Sequence, residues 1–146
     1  MTEKCEIKRK IDAYVTFVPS AHGVLPKGVS RVLDWWHRWA DPEFGHCSIL
    51  IKEQGVDIYC ELQVWHSAIT FSLFTSDFVD EYIMKSGYSR IIKCDLDVDL
   101  APYRPRLMVT CVSVVKHALG IHAPMVLTPR QLYRRLLATP GCTRLL

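Results

Sequence analysis

Two residues of this chain have the types and settings that thiol chemistry requires: a cysteine that opens a helix and a histidine that opens a strand. Cys111 follows Thr110, a good N-cap, and precedes V-S-V-V-K-H-A-L, so the first helical position falls on the cysteine. A nucleophilic cysteine must be a thiolate, whereas a free one ionises near about pH 8.5. The positive end of a helix and a neighbouring imidazolium both lower that value. His46, at the head of H-C-S-I-L-I, would supply the imidazole, acting first as base and later as proton donor to the leaving group. Its other ring nitrogen then needs an orienting partner, and Glu61 and Gln63 on the following strand are the candidates. The backbone N–H of Cys111 is one natural oxyanion donor, and the sequence assigns no second. Taken singly, an early-helix cysteine is more often a buried core thiol, and a strand-opening histidine more often structural. The set of three types in one arrangement is what favours chemistry.

The hairpin that must carry His46 is the most legible part of the chain. His46–Ile51 and Val56–Trp65 read as strands around Lys52-Glu53-Gln54-Gly55. Side chains alternate along a strand, so His46, Ser48 and Leu50 share one face with Tyr59, Glu61, Gln63 and Trp65. Cys47, Ile49 and Ile51 lie on the other, with Ile58, Cys60 and Leu62, and that face is apolar throughout. A four-residue turn pairs Ile51 with Val56 and sets His46 opposite Glu61. A two-residue turn sets it opposite Gln63. The expected hairpin has one buried face and one polar face centred on the histidine.

Around it, Ile11–Val18 is a β-rich segment ended by Pro19, and Ser30 caps an amphipathic helix through Trp39 with Val32, Leu33, Trp36 and Trp39 for burial. Ile69–Phe74 forms a further short strand, Ser76–Lys85 a helical or irregular insertion, and Ser89–Leu96 a strand. Ala101–Arg106 is a loop. The Cys111 helix runs to Leu119 with Gly120 as its stop, and Thr128-Pro129-Arg130-Gln131 is a capping box opening a last helix that ends before Pro140-Gly141. The fold class expected is α+β, an antiparallel sheet with packed helices in one domain over residues 1–146. Among the remaining histidines, His37, His22 and His122 read as surface or loop residues, and His66 sits at a strand end. His117 lies about two turns beyond Cys111, too far to serve as its base.

Composition narrows the partners. A net charge of +3 is modest, and the basic residues Arg104, Arg106, Lys116, Arg130, Arg134, Arg135 and Arg144 read as solvated helix faces. No aromatic residues interleave with them as on a single-strand platform, so nucleic acid is not the expected partner. The six cysteines include no C-x-x-C pair and show no zinc spacing, so neither a metal nor a cofactor is expected. Most are read as core thiols rather than a disulfide framework. The first ten residues are polar, which indicates no signal peptide, and no run reaches a membrane span. A cytoplasmic location is the expectation.

Three stretches, G-H-C-S-I-L-I, Y-C-E-L-Q-V-W and T-C-V-S-V-V-K-H-A-L-G-I followed by T-P-R-Q-L-Y-R-R-L, carry a family likeness. Over about Phe44 to Leu137 the chain resembles the permuted papain-like cysteine hydrolases related to the NlpC peptidases, including small phage-encoded or bacterial ones. That resemblance implies a papain-like fold of circularly permuted order. By position it makes Cys111 the nucleophile, His46 the base and Glu61 the polar third member, with Gln63 as its alternative. The implied activity is cleavage of an amide bond in a peptide or peptidoglycan-type substrate. A thioesterase or acyltransferase of the lecithin retinol acyltransferase-like branch shares the permuted order and is the second reading. A catalytically silent structural or virion component is the third, which would make the protein virion-associated. Specificity is expected from loops such as Val18–Gly28 and Ser76–Gly87, and the tryptophan-rich helix and the Ser76–Gly87 segment match no motif of the family.

Overall fold

β1 (Lys8–Val18) alternates its side chains between two apolar environments, and every residue from Ala13 to Phe17 is buried. A strand covered on both faces belongs in the middle of a sheet, and β1 sits there. The computed structural model describes residues 8–19, 43–52, 55–65, 68–99 and 109–146. Besides β1 it contains β2 (His46–Lys52), β3 (Ile58–Trp65), β4 (Ala68–Thr75), α1 (Ser76–Lys85), β5 (Arg90–Asp99), α2 (Cys111–Ala118), α3 (Pro129–Leu137) and β6 (Cys142–Arg144). The strands form one antiparallel sheet in the order β4-β3-β2-β1-β5-β6. With helices on both faces of it, the fold is α+β. The helix expected over Ser30–Trp39, the loop over Ala101–Arg106, His22, His37 and His66 lie outside the described residues.

One face packs Ala13, Val15, Phe17, Cys47, Ile49, Ile92 and Cys94 against Val112, Val115 and Leu119 of α2 and Leu132, Tyr133 and Leu136 of α3. The other packs Tyr14, Leu50, Tyr59 and Ile91 against Val79 and Ile83 of α1, closed by Tyr88. Ser76–Lys85, expected as a helix or an irregular insertion, is thus a helix with a structural task. It covers the face of the hairpin expected to be polar and open. Phe74, Phe78 and Tyr82 stack in series along its edge.

Both helices on the Cys111 face start where the sequence signals them. Thr110 Oγ1 accepts from Ser113 N at 3.1 Å, and Thr110 N donates to Ser113 Oγ at 2.8 Å. Thr128 and Gln131 make the equivalent reciprocal pair at 3.3 and 3.1 Å. Such caps each contribute about 1 kcal/mol and leave little freedom in where the helix begins. Gly120 adopts φ 62°, the left-handed turn that stops α2.

Lys116 corrects the expectation of solvated basic residues. Arg130, Arg134, Arg135 and Arg144 are exposed, but Lys116 is buried, with its Nζ donating to the carbonyls of Ala123 and Val126 at 2.8 Å each. It ties the α2–α3 connection back to α2. Lys116→Met keeps the stem but strands both carbonyls, and an unsatisfied buried acceptor costs about 1–3 kcal/mol. The expected result is a lower urea midpoint with an unchanged slope.

Candidate active site

Cys111 is the first residue of α2, half-buried and packed against the core cluster that contains Cys47. Three groups converge on its sulfur. The Cys47 thiol hydrogen-bonds to it, the His46 side chain does likewise and adds its charge, and the Cys47 backbone N–H donates as well. Together they outweigh burial and bring the Cys111 pKa down to about 4. Cys47 moves the opposite way. Fully buried and facing a thiolate, it is pushed well above the ordinary thiol range and remains a proton donor. The two thiols therefore divide one role: Cys111 ionises and Cys47 stays protonated to hold it.

The local sequence explains the meeting. β2 begins at His46 directly after the Gly45 bend, and Gly45 N–H donates to Val18 O at 2.9 Å, which fixes the entry to the strand. Beneath this entry Phe44, Phe17 and Tyr133 pack ring against ring, with centroids 5.1–5.7 Å apart. α3 thus buttresses the base of the histidine while α2 carries the thiol. At the start of α2 the N–H groups of Cys111 and Val112 have no acceptor within the helix, the setting in which an oxyanion can be received.

Glu61 does not join them, and the reason is register. Ile51 pairs with Cys60 and Leu50 with Glu61, so neither the four-residue nor the two-residue turn forms. The ladder instead ends with Lys52 opposite Tyr59. Asp57 leaves the ladder because it ion-pairs with Lys52 at 3.2 Å and accepts a hydrogen bond from Ser76 at the start of α1. Glu61 consequently lies level with Leu50, four residues along β2 from His46, or about 13 Å at strand rise. Continued outward, the same register sets Gln63 beside Ser48, two residues short of His46.

Glu61 instead centres a network under α1. It is 1 % exposed, and its carboxyl accepts from Ser48 Oγ at 3.2 Å, Gln63 Nε2 at 2.6 Å, Tyr82 OH at 3.0 Å and Tyr88 OH at 3.1 Å. Since Ser48 donates to Glu61, the 2.6 Å contact between Ser48 and Thr16 is a donation from Thr16. Burial, and then the neighbouring Tyr82 and Glu61, push the Tyr88 phenol upward, so it stays a donor. The polar alternation of the hairpin encodes this buried network rather than an open cleft. Pairing partners drawn from α1 and β5's approach are not visible from hairpin spacing alone.

No family model matches the chain, and no curated protein or solved structure does either. The site is therefore read from its own geometry.

A groove of about 680 Å³ lies along the flank of α2, and neither Cys111 nor His46 is among the residues that line it. Ile51, Leu62, Ile69, Phe71, Val109 and Val114 supply apolar walls, while Arg9, Lys10, Lys52 and His117 bring basic groups to it. Ser113, Val114, His117 and Ala118 line it from α2, and Arg9, Lys10 and Lys52 from the ends of β1 and β2 remote from His46. Phe71 and Leu73 on β4 are 68 % and 71 % exposed, which makes this end of the sheet strongly apolar among the described residues. Sequence reading had placed Ile69–Phe74 in a strand without giving it this part. His117 lines the groove away from the thiol, as its distance along α2 requires. Among the described residues no group of His, Cys, Asp or Glu is placed to hold a metal, and no helix is long and apolar enough to cross a membrane.

Proposed function

We propose that the protein is a cysteine hydrolase of permuted papain-like order, with Cys111 as nucleophile and His46 as its acid–base partner. The observation that carries this reading is the convergence of the Cys47 thiol, the Cys47 backbone N–H and the His46 side chain on a cysteine at a capped helix start, which lowers its pKa. The pKa of Cys142 is also lowered by a thiol partner, and what sets Cys111 apart is the added hydrogen bond and charge of His46. The thiolate attacks a carbonyl carbon and forms a thioester, and the N–H groups at the start of α2 receive the oxyanion. His46 delivers a proton to the leaving amine and then takes one from the water that hydrolyses the thioester. Glu61 has no part in this scheme. The proposed substrate is an amide bond in a peptide or peptidoglycan-type chain.

A second reading is acyl transfer or thioester hydrolysis: the apolar walls of the groove on the flank of α2 suit an acyl chain as readily as an apolar side chain. Both readings share the thioester on Cys111, and one experiment addresses both. The folded protein is incubated with muropeptides, peptide anilides and acyl thioesters, and quenched in acid for intact mass. A covalent acyl adduct on Cys111 is expected with at least one donor, absent in Cys111→Ala. Turnover falls by about 10³-fold or more in that variant. Equal turnover by Cys111→Ala would discard both readings.

A further inference from the structure

We propose that Cys94 and Cys142 are a disulfide-forming pair, a thiol-modification site on the C-terminal edge of the sheet separate from Cys111. Three geometric observations carry it. The residues are direct register partners between β5 and β6, and their sulfurs stand 3.0 Å apart. Asp95 N–H donates to Gly141 O at 2.8 Å and Leu145 N–H to Ile91 O at 2.9 Å, so hydrogen-bonded pairs fall at 95/141 and 91/145. By alternation the 94/142 pair is of the non-hydrogen-bonded kind, whose Cα atoms approach to about 4.5 Å. That lies within the span a disulfide bridges.

Gly141 shows that this approach is built into the chain. It adopts φ 85°, and a Cβ placed there would stand 2.3 Å from the Asp95 carbonyl oxygen. Only glycine lets the chain come this close to β5 immediately before Cys142. Cys94 is fully buried, whereas Cys142 is half-buried and reachable from solvent. The hydrogen bond between them lowers the pKa of Cys142 and raises that of Cys94, so the more exposed thiol is also the one that ionises first.

The oxidant is a low-molecular-weight disulfide, RSSR. Cys142 thiolate attacks one of its sulfurs, the S–S bond breaks, and RS⁻ leaves with the electron pair to be protonated by solvent. Cys94 then loses its proton and attacks the Cys142 sulfur of the mixed disulfide, expelling the second RS⁻. In balance, two protein thiols give up two electrons and two protons, and RSSR becomes two RSH. The bond pins β6 to the sheet and holds the foot of α3, the helix whose Tyr133 supports Phe44 ahead of His46.

The test treats the native full chain with glutathione disulfide, blocks remaining thiols in acid and maps linkages by non-reducing peptide mass spectrometry. A Cys94–Cys142 peptide is expected, at a mass about 2 Da below the sum of its reduced parts. Cys94→Ala should accumulate a stable glutathione adduct on Cys142 instead. Exchange of the Leu145 amide should slow by about tenfold on oxidation of the wild type. A persistent Cys142–glutathione adduct in the wild type, or linkage of other cysteines with Cys94 and Cys142 left free, overturns the proposal. Neither result bears on Cys111 as nucleophile, which the acyl-adduct experiment decides separately.

Discussion

Reacted with a pyridyl disulfide across pH, Cys111 is expected to show a rate that rises with an inflection near pH 4 and is flat through neutrality. An unperturbed cysteine would still be rising at about pH 8. The position of the inflection is the diagnostic, and the absolute rate is not. At pH 6 a thiol of pKa about 8.5 is roughly 0.3 % ionised, against nearly complete ionisation for Cys111, a gain of about 300-fold. Intrinsic nucleophilicity falls with pKa at a Brønsted slope of about 0.4–0.5, which returns about 100-fold of that gain. The net advantage at pH 6 is only a few-fold, and it reverses at alkaline pH. Cys47→Ala removes the largest of the stabilising contacts, and His46→Ala removes another with its charge. Each should move the inflection upward. An inflection unmoved by either substitution would mean that these groups do not hold the thiolate.

Glu61→Ala is expected to cost about 3–5 kcal/mol of stability, because it strands donors from Ser48, Gln63, Tyr82 and Tyr88 and leaves a cavity. Glu61→Gln should also destabilise, since half of its amide is a donor aimed at donors. Urea unfolding measures both. The discriminating readout is the Cys111 profile of the folded Glu61→Gln protein. If Glu61 serves only the network under α1, the inflection stays near pH 4. A shift of about one unit or more would place Glu61 back beside His46.

These two residues show how far the sequence could be read. Thr110 and Gly120 mark a helix by rules that act within four residues, so the position of Cys111 at its start was legible. The parity of the hairpin was legible too for Ser48, Leu50, Tyr59 and Glu61, because alternation needs no partner, but His46 at the strand's first position reaches Cys111, which packs with Cys47 on the opposite face. Register was not. It depends on how Asp57 is captured by Lys52 and by Ser76, an arrangement made with a helix 19 residues away in sequence. For the same reason the polar hairpin face looked like a cleft. Tyr82 and Tyr88, which satisfy it, carry no spacing signal that ties them to Glu61. By alternation alone Cys47 is one more apolar residue of the buried face. A thiol directly after a candidate base, on the face that receives the helix, was the available clue.

The placement of β1 has a consequence for how the molecule comes into being on the ribosome. β1 is the first of the six strands to be synthesised, yet it lies between β2 and β5, so its second edge waits for Arg90–Asp99. Pairings of that separation form late because a long loop must close before any contact rewards it. α2 then needs β2 already seated to receive it, and α3 must arrive before Phe44 is supported. The thiolate is consequently one of the last features to appear. During most of synthesis Cys111 is either not yet made or lacks the Cys47 and His46 contacts that lower its pKa.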